Sequence, residues 1–175
     1  MRILLVDDDK DLLLAFKKFL FKEGTFELIS TTSPLEALRL LKERQFDVIV
    51  SDWPMPEING FELFKRIRSE NNTIPFILFT CKPREEVALE ALNSGINRYI
   101  HKAGDPEIVY VELVHAIKNL IEHQRTREAL MQAQEELRLV YRQRSSSFCR
   151  SFFHGMAYPV SIDFANISDH KKGRK

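Results

Sequence analysis

The residues whose chemistry stands out each follow a short apolar run. Asp7-Asp8-Asp9 comes after Ile3-Leu4-Leu5-Val6, Asp52 after Val48-Ile49-Val50-Ser51, Thr80 closes Phe76-Ile77-Leu78-Phe79, and Lys102 follows Tyr99-Ile100-His101. Carboxylates gathered in one place repel one another and resist ionising together. Such a set needs a hard cation such as Mg2+, held by a few oxygens with water completing its octahedron. Asp7, Asp8 and Asp52 can supply those oxygens. A carboxylate kept ionised by the cation can attack phosphorus in line, while the metal and an ammonium neutralise the transferring oxygens. In that scheme Asp52 attacks, Lys102 neutralises, and the Thr80 hydroxyl bonds a phosphoryl oxygen once one arrives. Any one of these residues alone would pass for an ordinary solvated loop residue.

Bringing them together requires a particular framework. Five short apolar runs, starting near Ile3, Phe26, Val48, Phe76 and Tyr99, read as strands. Between them lie segments with helical apolar spacing, such as Leu12, Ala15, Phe16, Phe19 and Leu20, or Leu35, Ala37, Leu38 and Leu41. Ser33-Pro34-Leu35-Glu36 reads as an N-cap, a proline at the first helical position and a capping-box glutamate, and Gly24 as a helix stop. Continuous apolar strands joined by helical crossovers predict an α/β class, a doubly wound parallel sheet with helices on both faces. In such sheets the functional crevice lies beyond the carboxyl ends of the strands, where the winding reverses. Asp7, Asp52, Thr80 and Lys102 all fall at that edge.

Composition narrows the function classes. Lys and Arg total 26 against 25 Asp and Glu, a net charge of +1, which removes the bulk electrostatic case for a nucleic-acid partner. The balance is uneven: residues 1–121 carry 16 basic and 19 acidic side chains, residues 122–175 carry 10 and 6. Cys81 and Cys149 form neither a disulfide framework nor a metal cluster, which suits a reducing cytoplasm. Acidic residues arrive too early for a signal-peptide core and no apolar stretch nears 18 residues, so no membrane insertion is expected. From about Asp105 a helical pattern runs to the serines at 145–147. Its first half should dock on the sheet through Ile108, Val111, Val114, Ile117 and Ile121. Its second half keeps Leu130, Leu137, Val140 and Tyr141 among many Gln, Glu and Arg, as a helical linker or weak coiled coil. The expected divisions are 1–121, 122–144, and an apolar tail over 145–175.

With these motifs in place, residues 1 to about 121 resemble the receiver domain of bacterial and archaeal two-component response regulators. The carriers are Val6-Asp7-Asp8-Asp9, Asp52-Trp53-Pro54-Met55-Pro56 leading to Asn59-Gly60, Thr80-Cys81, and Tyr99-Ile100-His101-Lys102. The resemblance implies a flavodoxin-like sheet in the order 2-1-3-4-5 with five helices. It also implies a phosphoacceptor at Asp52 and Mg2+ held by Asp7, Asp8, Asp52 and the Pro54 carbonyl. Thr80 and Tyr99 become a switch pair, and Lys102 the phosphate-contacting lysine. The implied partners are a sensor histidine kinase or phosphotransfer protein and a downstream protein, while the near-heptad spacing of Leu130, Leu137 and Tyr141 adds a second copy of the chain. Pro54 and Lys82 would flank the path of the hydrolytic water. Two features depart from the family pattern. Lys102 is followed by Ala103-Gly104 rather than proline, and because a non-proline cis bond costs about 3–4 kcal/mol, a trans bond with Gly104 absorbing the turn is expected. Cys81 stands where alanine is common.

Other readings account for fewer of these residues. A haloacid-dehalogenase-like phosphatase would use Asp7 and Asp9, but it needs a further acidic pair and a cap, and leaves Asp52 without a role. A phosphorylation-independent interaction module would not need the complete acid, threonine and lysine set. Asp9 and Asp11 suit the first turn of a helix, Trp53 suits packing, and His101 is structural or solvated. His115 and His123 lack ligand-spaced partners. Arg150 to Pro159 resembles, over a short stretch, the start of a PAS sensory domain.

Overall fold

The computed structural model describes residues 1–24, 26–70, 72–83 and 95–154, with side chains for all of these except Glu23 and residues 143–154. The strands are β1 (Arg2–Val6), β2 (Glu27–Thr31), β3 (Val48–Ser51), β4 (Phe76–Thr80) and β5 (Arg98–His101). The helices are α1 (Lys10–Glu23), α2 (Pro34–Glu43), α3 (Gly60–Ser69) and α4 (Pro106–His154). All pairings are parallel, in the order β2-β1-β3-β4-β5, as expected. The helix expected between β4 and β5 falls on residues 84–94, outside the described residues. The chain divides into two units, Met1–Glu128 and Ala129–Lys175.

Strand alternation sorts the core onto two faces. Ile3, Leu5, Val48, Val50, Ile77, Phe79 and Ile100 meet Leu13, Phe16 and Leu20 of α1 and Val109, Leu113 and Ile117 of α4. Leu4, Val6, Ile49, Phe76 and Leu78 meet Ala37 of α2 and Leu63, Phe64 and Ile67 of α3. Each fully buried side chain of this size contributes about 1.5–3 kcal/mol, so the helices on both faces contribute to holding the sheet. Truncating Leu113 to Ala would cost about 2–5 kcal/mol.

The punctuation is largely as read. Ser33 caps α2 with Pro34 in its first turn, and Gly24 closes α1 at φ 66, a left-handed backbone that glycine adopts without penalty. Glu36, however, does not reach back to its cap. Its carboxylate is held by Arg39 at 2.6 and 2.8 Å, a closer and charged donor.

Two expectations about α4 need correction. Ile108 and Val111 do not dock: they are 68% and 46% exposed, while Val109 and Leu113 are buried. Residues 108–117 are apolar almost all round, so counting apolar positions leaves the phase of the helix open. The contact with Phe16 and the strands selects the 109-113-116-117 stripe. Nor do Ser145-Ser146-Ser147 end the helix, whose backbone continues to His154. Serine lowers helix propensity only modestly, and no glycine or proline occurs in the helix after Pro106. Half of the PAS-like stretch, residues 155–159, lies outside the described residues.

Candidate functional site

The acidic triplet after β1 separates into three environments. Asp7 is fully buried, and its Oδ1 accepts the Asp9 N–H at 3.0 Å. Asp8 is exposed. Asp9 caps α1, accepting the N–H groups of Asp11 and Leu12 at 2.9 and 3.1 Å, which is the helix-terminal role expected of it.

Asp52 follows β3, beside the end of β1, its N–H donating to the Val6 carbonyl at 2.9 Å. Its Oδ1 accepts the Trp53 N–H at 2.6 Å and its Oδ2 the Lys102 ammonium at 2.7 Å. The same Nζ donates to Asp7 Oδ2 at 2.6 Å. Lys102 thus bridges two buried carboxylates from its place just past β5. Burial alone would lower the Lys102 pKa, but hydrogen bonds and charge from Asp52 and Asp7 outweigh it and raise the pKa above the ordinary value. Asp7 moves up from its ordinary 3.8, driven first by burial; Lys102 pulls against this and the Asp52 charge adds to it. The Lys102–Ala103 bond is trans, there being no cis peptide among the described residues, and Gly104 takes the turn at φ 117.

Asp7, Asp8 and Asp52 each present a carboxylate oxygen, all within 4.8 Å of one another. Opposite ligands of an octahedral Mg2+ lie about 4.2 Å apart, so this all-oxygen donor set fits a hard divalent cation. One ammonium against three carboxylates also leaves formal negative charge for a cation to balance. Thr80 is fully buried at the end of β4; its Oγ1 accepts the Lys82 N–H at 3.2 Å and its carbonyl accepts the Lys102 N–H at 2.9 Å. Tyr99 is partly buried and its hydroxyl donates to the Lys82 carbonyl. Pro54 is exposed in the loop after Asp52, and Trp53 stacks on Phe61 with centroids 5.7 Å apart, the packing role expected of it.

Gly60 was legible only as part of a motif. A Cβ there would stand 2.0 Å from the Asp52 carbonyl oxygen, so the start of α3 rests directly on the Asp52 backbone. The signal was the Asn59-Gly60 pair, an N-cap followed by the smallest residue; Asn59 Oδ1 accepts the Glu62 N–H at 2.8 Å. His101, read as structural or solvated, touches the segment after Thr80, its Nε2 lying 3.0 Å from the Cys81 carbonyl oxygen.

Comparison with known proteins identifies the family. Residues 3–118 match the response regulator receiver domain. The chain is 35% identical over 119 residues to response regulator SaeR of Staphylococcus aureus (strain USA300), covering 68% of this chain and 50% of that protein. It therefore spans about half the length of the curated relatives it matches. The Francisella response regulator 1452 receiver domain superposes with a TM-score of 0.63 at 30% identity, covering 70% of this chain and 98% of that one. For chemotaxis response regulator CheY4 of Vibrio cholerae the values are 0.58 and 26%, with 66% and 97% covered. The chain belongs to the response regulator receiver family of two-component systems.

Proposed function

We propose that Asp52 accepts a phosphoryl group from a sensor histidine kinase or phosphotransfer protein in a Mg2+-dependent reaction. The observation that carries this reading is the Lys102 ammonium bonded at once to buried Asp7 and Asp52, an attacking carboxylate with its neutralising cation already in contact. An Asp52 carboxylate oxygen attacks phosphorus in line, the bond from phosphorus to the donor breaks, and the donor leaves with that electron pair. Bound Mg2+ would be held by Asp7, Asp8, Asp52 and the Pro54 carbonyl and would neutralise charge on the transferring oxygens. Lys102 keeps Asp7 and turns from Asp52 toward a phosphoryl oxygen. Thr80 then donates its hydroxyl to another, and Tyr99 turns toward the space vacated.

That movement reshapes the surface around β5 and the start of α4, where a downstream protein would read it. A second copy of the chain is the further partner in this reading. Leu130, Leu137, Val140 and Tyr141 are each at least half exposed within twelve residues of α4, an exposed apolar stripe short enough for weak pairing. A cytoplasmic setting belongs to the same reading, and no helix among the described residues is long and apolar enough to cross a membrane. Against the phosphatase alternative, Asp9 is committed to capping α1.

The test is incubation with Mg2+ and acetyl phosphate followed by mass spectrometry. One hydroxylamine-labile phosphoryl group is expected on the parent chain and none on Asp52→Asn. Persistent labelling of the variant would move the acceptor to Asp7 or Asp9.

A further inference from the structure

Glu57, in the loop between Asp52 and α3, stands at φ 70, and among the described residues no other residue except glycine has a positive φ. The Ile58 N–H donates to the Pro56 carbonyl at 2.9 Å, closing a three-residue γ-turn of the rarer, strained hand with Glu57 at its centre. Glycine takes this backbone freely, whereas a residue with a Cβ pays in strain and persists there only where its surroundings hold it. The side chain supplies part of that hold. Glu57 Oε2 accepts the Ser33 hydroxyl at 3.2 Å, and Ser33 is the N-cap of α2, its Oγ accepting the Glu36 N–H at 3.4 Å. The turn after β2 is in its own way tied to the site: the Ser33 N–H is bonded to Thr31 Oγ1 at 3.1 Å, and the Thr31 carbonyl accepts the Asp7 N–H at 3.2 Å. At its start the loop is tied to Asp52, whose Oδ1 accepts the Trp53 N–H and whose own N–H is bonded to the Val6 carbonyl. A closed ring of contacts therefore runs from Asp7 through Thr31, Ser33 and Glu57 into the loop and back through Asp52 and Val6. Three of the four residues assigned to Mg2+, namely Asp7, Asp52 and Pro54, lie on it.

We propose that Glu57 is a positioning residue for the cation: from its strained turn it clasps the loop carrying Pro54 to the Ser33 hydroxyl, and so presets the Pro54 carbonyl for Mg2+. This rests on the Mg2+ reading given above and deepens it. Pro54 lies between two fixed points, Trp53 on Asp52 and Glu57 on Ser33. Without the second, the loop is fixed beside Pro54 at one end only, and a cation that uses its carbonyl must order the loop as it binds, at a cost in affinity. The bond that matters is the one accepted from Ser33, not the charge of the carboxylate, because Glu57 is exposed and its charge is screened by water.

The test uses the full chain and Mg2+ alone, titrated by calorimetry and by the fluorescence of Trp53, the only tryptophan, whose backbone N–H is bonded to Asp52. Glu57→Ala should weaken Mg2+ about two- to tenfold, the worth of one net hydrogen bond. Glu57→Gln, whose amide oxygen still accepts the Ser33 hydroxyl, should stay close to the parent. Glu57→Gly separates positioning from a role in stability. It relieves the left-handed strain, so in urea without Mg2+ it should be at least as stable as Glu57→Ala, yet it should bind Mg2+ no better than Glu57→Ala does. Ser33→Asp keeps a cap on α2 but turns a carboxylate toward Glu57 in place of a donor. The negative charge it adds would by itself favour a cation, whereas loss of the clasp weakens Mg2+ as in Glu57→Ala. Parental Mg2+ affinity in Glu57→Ala, Glu57→Gly or Ser33→Asp, or Glu57→Gln binding as weakly as Glu57→Ala, overturns the clasp alone. A parent chain that does not bind Mg2+ overturns the metal reading and the clasp with it.

Discussion

Gly60→Ala is a one-methyl change whose cost follows from a single contact. The new Cβ would lie 2.0 Å from the Asp52 carbonyl oxygen, and such atoms do not approach closer than 3.0 Å, so something must move by at least 1.0 Å. Asp52 resists, because its N–H is bonded to the Val6 carbonyl and it continues directly from β3 in the middle of the sheet. The loop from Trp53 to Asn59 must give instead. Displacing it endangers the Gly60 N–H bond to the Trp53 carbonyl at 3.0 Å and the Asn59 cap of α3 at 2.8 Å. A net hydrogen bond is worth about 0.5–1.5 kcal/mol and a cap about 1 kcal/mol, and overpacking adds to both. Alanine returns up to about 1 kcal/mol of helix propensity, leaving a net loss of about 2–3 kcal/mol.

Urea unfolding followed by circular dichroism measures that loss directly, and Asp52 labelling by acetyl phosphate measures its effect on the site. The labelling rate should fall about tenfold, since displacing the loop moves the Trp53 N–H that holds Asp52 Oδ1 and so disturbs the orientation of the attacking carboxylate. Gly24→Ala is the control. A Cβ there meets nothing within 4 Å, and the left-handed φ of 66 sets a cost of about 1–2 kcal/mol with no change in labelling. Gly60→Ala within 0.5 kcal/mol of the parent and labelled at the parental rate would refute the close-approach argument.

Asp7→Asn should raise Tm at neutral pH without Mg2+. The folded pKa of Asp7 is raised, so its contribution is fully present below 3.8 and lost as pH rises through the folded value, a loss the amide avoids. The same variant should lose most of the stabilisation that Mg2+ gives the parent, about 2.7 kcal/mol at a hundredfold excess over Kd. Lys82→Ala should shed its phosphoryl group faster than the parent, because the lysine would shield the path of the hydrolytic water; an unchanged decay rate measured by mass spectrometry would remove that role. Leu130→Gln combined with Leu137→Gln should abolish any self-association of the phosphorylated chain in sedimentation velocity, without altering labelling of Asp52.

The sheet was legible because its strands are continuous apolar runs closed by residues of a different kind. Ile3 to Val6 gives way to Asp7, and Val48 to Val50 leads through Ser51 to Asp52, so both the strands and their functional ends could be read from one transition. Features that depend on what lies across the chain were not legible. The phase of α4 is set by Phe16 and the strands beneath it, which is why Ile108 and Val111 appeared to dock. Glu36 was matched to its cap by spacing, but Arg39 one turn on offers a stronger, charged partner. Gly60 and His101 are informative only through backbone atoms of Asp52 and Cys81, and a backbone carbonyl carries no letter in the sequence.

The charge balance explains why, in the proposed reaction, the switch must sit where it does. Before transfer, three carboxylates face one ammonium, and a divalent cation makes the set neutral. Phosphorylation removes the charge of Asp52 as an acyl phosphate forms but brings a phosphoryl group carrying about two negative charges, so the site gains about one negative charge. Asp7 and Thr80 are fully buried and the Lys102 ammonium is nearly so, and water is a poor source of compensation there. Among the described residues, donor capacity for that charge lies at the end of β4: the Thr80 hydroxyl, whose oxygen accepts from Lys82, and the Cys81 N–H that follows it. Both belong to the segment that leaves β4. In the proposed reaction the added charge is therefore met at the segment that Tyr99 and His101 contact from β5.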